Sequence, residues 1–309
     1  IVITLLREVK MGSLLEDFKI GLVLSGGGAK GSYEAGVFKT LWELDLVDNV
    51  EVISGTSVGS VNALLFAMND RKIIKDSWSS ITYSRFIRLQ ERTRSIKIPE
   101  LIKTITHGNY EKSIIEQIKN NDIGLLSQIG IENFIKEYVN IETINMQNRD
   151  IYACAYNIDK ESPEYFKLNE YSNEEILNIV LASCAIPIIF SPIKIENNRY
   201  ADGGIKSPEY SKNNIDNIPI APLKNYDCDL IIVVGLSNKD RLNKEGFDKN
   251  KIIEIYPSKK IELVNGAGSV MMNKSKLIDN IELGYRDSMI KLAPLIINII
   301  KDKYNREKE

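Results

Sequence analysis

Apolar positions along the chain change period several times, and each change marks an element. Ile20-Gly21-Leu22-Val23-Leu24 is a short unbroken apolar run ended by glycines, which reads as a buried strand. From Tyr33 to Leu46 the residues Ala35, Val37, Phe38, Leu41 and Trp42 fall at helical spacing. Val50 to Ile53 reads as a second strand and Val58 to Met68 as a second helix. Strand, loop, helix, taken twice, implies a parallel sheet with helices on its faces.

The stretch from about Asp70 to Gln147 is charged and helical with poor strand signals, and reads as an insertion or cap. Strands resume at Ile151–Tyr156 and Tyr165–Leu168, followed by a helix over Glu174–Ala182. Short strands at Ile193–Ile195 and Arg199–Ala201 flank Asn197-Asn198 as a hairpin. Leu230–Val234 and Ile252–Ile255 are further buried strands, and the chain from about Val270 is helical, with Pro294 expected to kink or restart it. The expected fold is a three-layer α/β/α arrangement around a mainly parallel sheet. With no internal repeat or low-complexity linker, it is read as one domain over 20–292. The helical insertion at about 70–147 follows the second βα unit, with an extension over 1–19 and a helical tail over 293–309.

Composition narrows the function classes only a little. Of 309 residues, 43% are hydrophobic and 27% charged, ordinary values for a soluble globular protein. A net charge of −2 supplies no basic field, so nucleic acid is not an expected partner. Cys154, Cys184 and Cys228 are widely spaced and odd in number. They read as reduced thiols inside a cell, not as a disulfide framework or a zinc site. The opening "IVITLLREVKMG" has too few apolar residues for a signal peptide, and no window holds the ~18 apolar residues of a membrane span. A cytoplasmic protein is expected, touching membranes peripherally if at all, with Met11 a candidate start.

Two glycine motifs carry the chemistry. In Ser25-Gly26-Gly27-Gly28-Ala29-Lys30-Gly31, the residues Gly26, Gly28 and Gly31 satisfy G-x-G-x-x-G directly after a strand. Such a loop presents bare backbone N–H groups either to a phosphate or to another anion. After the second strand comes Gly55-Thr56-Ser57-Val58-Gly59, the G-x-S-x-G nucleophile-elbow pattern in its strand-to-helix setting. A serine on so sharp a turn sits in a strained conformation, and side chains two residues either side would collide with neighbouring elements. The helix start beside Ser57 favours developing negative charge.

A serine nucleophile needs a base. His107, the only histidine, lies in the charged insertion and is a poor member for a Ser–His–Asp triad. The alternative is a carboxylate acting directly: Asp202, followed by Gly203 and Gly204, closes the expected hairpin. An aspartate at its ordinary pKa near ~3.9 is a weak base, so burial or hydrogen bonding has to tune it. Taken alone, D-G-G is more often a plain turn.

Together, G-G-G-x-K-G after the first strand, G-x-S-x-G after the second and a distant D-G-G resemble the patatin-like phospholipase family. The stretch from Ala182 to Pro192 also looks like that family's proline-containing approach to its aspartate. The resemblance covers roughly Ile20 to Leu292. It implies a serine acyl hydrolase acting on phospholipids or related acyl esters without metal or cofactor. Ser57 would be the nucleophile and Asp202 the general base. Gly26, Gly27 and Gly28 would form the oxyanion loop, with Ala29, Lys30 and Gly31 completing it. Lys30 would steady that loop or be an ordinary surface lysine.

Rival readings fare less well on the residues. A dinucleotide site wants an acidic residue at the end of the second strand, which instead ends Ile53-Ser54-Gly55. Ala-Lys-Gly-Ser is not the order of a Walker loop. A catalytically silent lipid-binding or interaction protein on the same fold would not need every dyad and oxyanion position intact. Between Ser84 and Thr104, Arg85, Arg88, Arg92, Arg94, Lys97 and Lys103 outnumber Glu91 and Glu100, with Phe86, Ile87 and Leu89 among them. That stretch reads as a solvated face first and an interfacial surface second. Leu292–Ile300 is read as core packing, and Cys184 as a small buried filler.

Overall fold

The computed structural model describes residues 15–86, 88, 124, 126–205, 214–238, 241–261 and 274–306. Its strands are β1 (Ile20–Leu24), β2 (Val50–Thr56), β3 (Asp150–Asn157), β4 (Ser162–Lys167), β5 (Ile193–Ile195), β6 (Asn198–Asp202), β7 (Leu230–Val234) and β8 (Ile252–Ile255). Among the described residues they form one sheet in the order β5-β6-β3-β2-β1-β7-β8, with β4 also on β3. The pairs β1/β2, β1/β7, β2/β3 and β7/β8 are parallel. Antiparallel pairing is confined to β4, β5 and β6 at one side. The sheet is thus mixed and mostly parallel, as the alternation of elements implied.

Every residue of β1 and of β7 is buried. A parallel strand covered on both faces shows an unbroken apolar run, which is how both were legible. Alternate side chains go to opposite layers. Leu22, Leu24, Ile53, Ile232 and Val234 pack into the larger core cluster, and Val23, Val52, Ile231 and Val233 into the smaller. The larger core is roofed by α1 (Ser32–Glu43), α2 (Val58–Ala67) and α7 (Lys274–Arg306). On the other face the cover among the described residues includes the 3-10 turn Ala221–Asn225, through Leu223.

Helix α7 lies against α1 so closely that neither contact glycine tolerates a side chain. A Cβ on Gly36 would stand 2.0 Å from the Ile281 carbonyl oxygen, and one on Gly284 2.0 Å from that of Tyr33. Pro294 sits inside α7, which runs on to Arg306 without restarting. Leu292 and Ile296 are buried in the core, in line with the packing reading of this segment. Burial of that apolar face outweighs the lost backbone bond of one proline.

Most element boundaries shift by a residue or more from the sequence reading, and the shifts of two strands have a clear cause. β2 continues through Ser54 and Gly55 to Thr56, which add ladder pairs to β1 and β3 without adding an apolar signal. β4 begins at Ser162 and stops before Leu168, because its register is set by pairing Asn157 with Ser162 across the turn from β3. Pro163 is accommodated in it.

The described parts of the insertion are helical: α3 (Arg71–Ser79), α4 (Tyr83–Phe86) and α5 (Ile129–Tyr138). The Asp70 side chain caps α3 by accepting from the Lys72 and Ile73 N–H groups. Arg85, expected on a solvated or lipid-facing surface, instead ties α4 to α5. Its guanidinium pairs with Glu137 at 2.6 Å and lies over the Phe134 and Tyr138 rings. Met11, His107 and the basic positions Arg92, Arg94, Lys97 and Lys103 lie outside the described residues. The remaining helix, α6 (Asn173–Ser183), is closed at its start by a capping box between Ser172 and Glu175.

Candidate active site

The parallel topology brings the ends of β1 and β2 side by side, with Leu24 paired to Gly55. It also brings the antiparallel β6 onto β3, where Ala155 pairs with Asp202. Positions far apart in the chain (the glycine loop, Ser57 and Asp202) therefore gather at one end of the strands.

Ser57 occupies the turn between β2 and α2 with φ 56° and ψ −126°. That region costs a non-glycine residue on the order of 1–3 kcal/mol, so the surroundings must impose it. They do so through the flanking glycines. A Cβ on Gly55 would meet the Gly59 carbonyl at 2.3 Å, and one on Gly59 the Leu24 carbonyl oxygen at 2.4 Å. The strand and helix can meet at this angle only with both side chains absent. The Ser57 N–H donates to Ser183 Oγ at 2.8 Å, and that hydroxyl donates to the Cys154 carbonyl at 2.6 Å. The Ser57 carbonyl accepts from the Ser60 N–H and hydroxyl. The peptide is held on both sides while the hydroxyl is left to face the cavity.

Asp202, the last residue of β6, is fully buried. Its N–H donates to the Ala185 carbonyl, and the Gly204 N–H donates to its Oδ1 at 2.8 Å. Oδ2 has no hydrogen-bond partner among the described residues. Burial pushes the carboxyl up to about 6, against the Ser57 hydroxyl and the Gly204 and Ile205 N–H groups, which favour the charged form. The Ser57 hydroxyl is thus one of the groups that favour the ionised carboxylate.

The loop Gly26–Gly31 packs beside Ser57, where a Cβ on Gly26 would sit 3.2 Å from Ser57 Cβ. Gly28 is in the left-handed region at φ 59° and opens the 3-10 turn Gly28–Gly31. The Lys30 N–H is spent on the Gly27 carbonyl and the Gly26 N–H on the Asn217 carbonyl. Those of Gly27, Gly28 and Ala29 meet no acceptor among the described residues. Three donors of this kind beside a raised hydroxyl can receive an anion. No ion pair of Lys30 occurs among the described residues.

An apolar cavity of about 130 Å³ opens from this point, with Gly28, Ala29, Ser57 and Cys184 lining it beside Val61, Trp78, Phe134 and Phe190. Ile188, which lies in the chain between the lining residues Ile186 and Ile189, adopts φ 73°, a strained conformation for a β-branched side chain. Cys184 is buried, and its thiol is held far above the usual range by burial and by the nearby Asp202 charge. It behaves as wall, in keeping with the filler reading. Among the described residues no group of three or more His, Cys, Asp or Glu side chains is arranged to hold a metal ion, and no helix is long and apolar enough to cross a membrane.

Three participants carried no usable sequence signal. Ser183 is one serine among many at a helix end. Glu34 looks like an ordinary charged residue of an amphipathic helix, yet it is fully buried under the glycine loop. It accepts from Asn62 at 2.7 Å, and burial holds its carboxyl well above the usual range. The same Asn62 amide donates to the Gly31 carbonyl, bracing the end of the loop. Asn217 sits in a run rich in asparagine, where one more attracts no notice.

Comparison with known proteins places this geometry in context. The model of the patatin-like phospholipases matches residues 22–222. A lysophospholipase nte1 of Aspergillus terreus is 25% identical over 228 residues, which are 74% of this chain but 12% of that protein. The chain thus spans about an eighth of the length of such fungal relatives. A probable lipid hydrolase 463L of Invertebrate iridescent virus 6 is 27% identical over 193 residues, 62% of each chain. Among solved structures, VipD from Legionella pneumophila superposes with a TM-score of 0.52 at 15% identity, over 91% of this chain and 67% of that one, a likeness of fold.

Proposed function

The chain belongs to the patatin-like phospholipase family, and from that premise we propose that it is a serine acyl hydrolase of phospholipid or related acyl-ester substrates, working with a Ser57–Asp202 dyad. The observation that carries the reading is the strained Ser57 turn, φ 56° and ψ −126°, set beside a fully buried Asp202. Strain of this kind persists only where the surrounding structure enforces it, and it gathers at reacting groups.

In the proposed reaction the Ser57 oxygen attacks the ester carbonyl carbon while Asp202 takes the hydroxyl proton. The carbonyl oxygen becomes an anion beside the N–H groups of Gly27, Gly28 and Ala29. One donor of this type is typically worth about 3–4 kcal/mol in the transition state. The carbon–oxygen bond to the alcohol then breaks, and the proton held by Asp202 passes to the departing alkoxide. Asp202 next takes a proton from water, whose hydroxide attacks the acyl-serine. The fatty acid leaves and the proton returns to Ser57. A carboxyl pushed up to about 6 is a stronger base than an ordinary aspartate yet remains mostly ionised near neutral pH, which general-base work requires. The apolar cavity beside Ser57 takes the acyl chain, and residues 20–292 act as one catalytic unit.

The test is covalent and kinetic together. Protein treated with an alkyl fluorophosphonate should carry one adduct on the peptide containing Ser57. Mass spectrometry of a mixed-lipid extract should show free fatty acid released by the unmodified protein and not by Ser57→Ala. A Ser57→Ala variant with full turnover would refute the Ser57 assignment, and a protein that is neither labelled nor active would refute the proposal and favour a silent lipid-binding role.

A further inference from the structure

Asn217 lies between β6 and β7 and has no part in the chemistry above, yet it touches both halves of the site. The Gly26 N–H donates to the Asn217 carbonyl at 3.1 Å, and the Asn217 side-chain Nδ2 donates back to the Gly26 carbonyl at 3.2 Å. Both backbone polar groups of Gly26 are therefore held by one residue. The Gly26 carbonyl shares its peptide plane with the Gly27 N–H, and in a trans peptide the two point in opposite directions. Fixing the carbonyl toward Asn217 turns the Gly27 N–H to the other side of the loop.

The same side chain also fills the space left by two glycines. A Cβ on Gly26 would stand 2.4 Å from Asn217 Oδ1, and one on Gly204 1.9 Å from that atom. Gly204 is the residue whose N–H holds Asp202 Oδ1. The adjoining Asp216 binds this segment to the rest of the site: its N–H donates to the Gly203 carbonyl, and its own carbonyl accepts from the Thr56 hydroxyl at 2.9 Å. Residues 216 and 217 thus contact the chain just before Ser57, just after Asp202, and at the start of the glycine loop.

We infer that Asn217 is a positioning residue that registers the Gly26–Gly31 loop against the Asp202 turn and aims the Gly27 N–H at the reacting carbonyl oxygen. The inference rests on the acyl-hydrolase reading above. Loss of the Nδ2 donor frees the Gly26–Gly27 peptide to rotate, and a shift of about 1 Å in such a donor costs on the order of 10²-fold in rate.

The experiment compares Asn217→Ala and Asn217→Asp with the unmodified protein on a soluble p-nitrophenyl acyl ester and an alkyl fluorophosphonate. The expected result is a fall in kcat of about 10- to 100-fold with KM within about twofold, because the oxyanion exists only in the transition state. Phosphonylation of Ser57 should slow by a similar factor, and the acid limb of the Asn217→Ala pH profile should stay where it is. Asn217→Asp keeps the volume but puts a carboxyl oxygen, with its charge, where the donor was, so it carries the test if Asn217→Ala does not fold. Unchanged kcat in a folded variant overturns the inference, as does a loss that merely tracks the unfolded fraction or appears in KM alone. If Ser57→Ala retains turnover, the hydrolase reading falls and this inference with it. If Ser57 is labelled and essential while both Asn217 variants are normal, only the inference falls.

Discussion

Replacing Asp202 by Asn should stabilise the protein at neutral pH while removing its activity, and the size of the gain should depend on pH. The carboxyl is fully buried and raised from 3.8 to about 6, with burial the largest cause. For an acid whose folded pKa is raised, the folded state holds the proton more tightly than the unfolded state between those two values. Stability from this group is therefore undiminished below 3.8, falls as pH climbs through the window, and is lowest above about 6. At about 1.4 kcal/mol per pH unit, the ionised carboxylate costs the fold on the order of 3 kcal/mol at pH 7.5. An asparagine keeps the Oδ1 acceptor for the Gly204 N–H and carries no charge, so it escapes that cost. Its Nδ2 takes the place of an oxygen that has no partner among the described residues, and a buried unmet donor returns about 1–2 kcal/mol of the gain.

Urea unfolding at pH 4 and pH 7.5 measures this directly. The stability difference between Asp202→Asn and the unmodified protein should rise by roughly 2.4 kcal/mol from the lower pH to the higher. In parallel, kcat/KM of the unmodified protein should fall about tenfold per unit below a midpoint near 6, since that ratio reports the free enzyme's base. A stability difference independent of pH, or an acid limb centred near ~4 as for a solvated aspartate, would refute the claim that burial tunes this carboxyl for its task.

Ser57→Gly should be inactive yet melt slightly higher, since relief of about 1–3 kcal/mol of backbone strain exceeds the extra chain entropy that glycine brings; calorimetry checks it, and a lower melting temperature counts against strain at this turn. Ser183→Ala removes the acceptor of the buried Ser57 N–H and should cost about 1–3 kcal/mol in urea unfolding together with a fall in kcat; unchanged stability would show that the bond contributes nothing. His107→Ala should leave kcat/KM within about twofold, and a loss beyond about 10²-fold, the lower range of general-base effects, would overturn the dyad.

The strands at Ile20–Leu24, Leu230–Val234 and Ile252–Ile255 were legible residue for residue, because burial on both faces or at the sheet's edge leaves an apolar run bounded by punctuation. The elbow was legible for a different reason: steric exclusion at Gly55 and Gly59 has no substitute among residues with a Cβ, so the constraint appears as a pattern. Boundaries failed where ladder pairing, not side-chain burial, decides them. β2 runs on through Ser54 and Gly55, whose gain is backbone hydrogen bonds that any residue supplies. At Pro294 the helix does not restart, since one missing N–H is outvoted by the apolar face of a long helix packed on its neighbour.

The supporting groups of the candidate site were invisible because their roles are relational. Glu34 is charged by type, yet its environment keeps its carboxyl far above the usual range under a loop on which it leaves no local trace. Asn217 acts through an amide that reaches two glycines 191 and 13 positions away, and only their missing side chains record that something occupies the space. A glycine motif read from sequence therefore has two causes folded into one letter. Gly28 needs its backbone freedom at φ 59°. Gly26 and Gly204 need room for a neighbour. The two causes separate under substitution: alanine at Gly28 is strained in any background, whereas alanine at Gly26 becomes tolerable once Asn217 Oδ1 is removed, leaving Ser57 Cβ at 3.2 Å as the nearest atom.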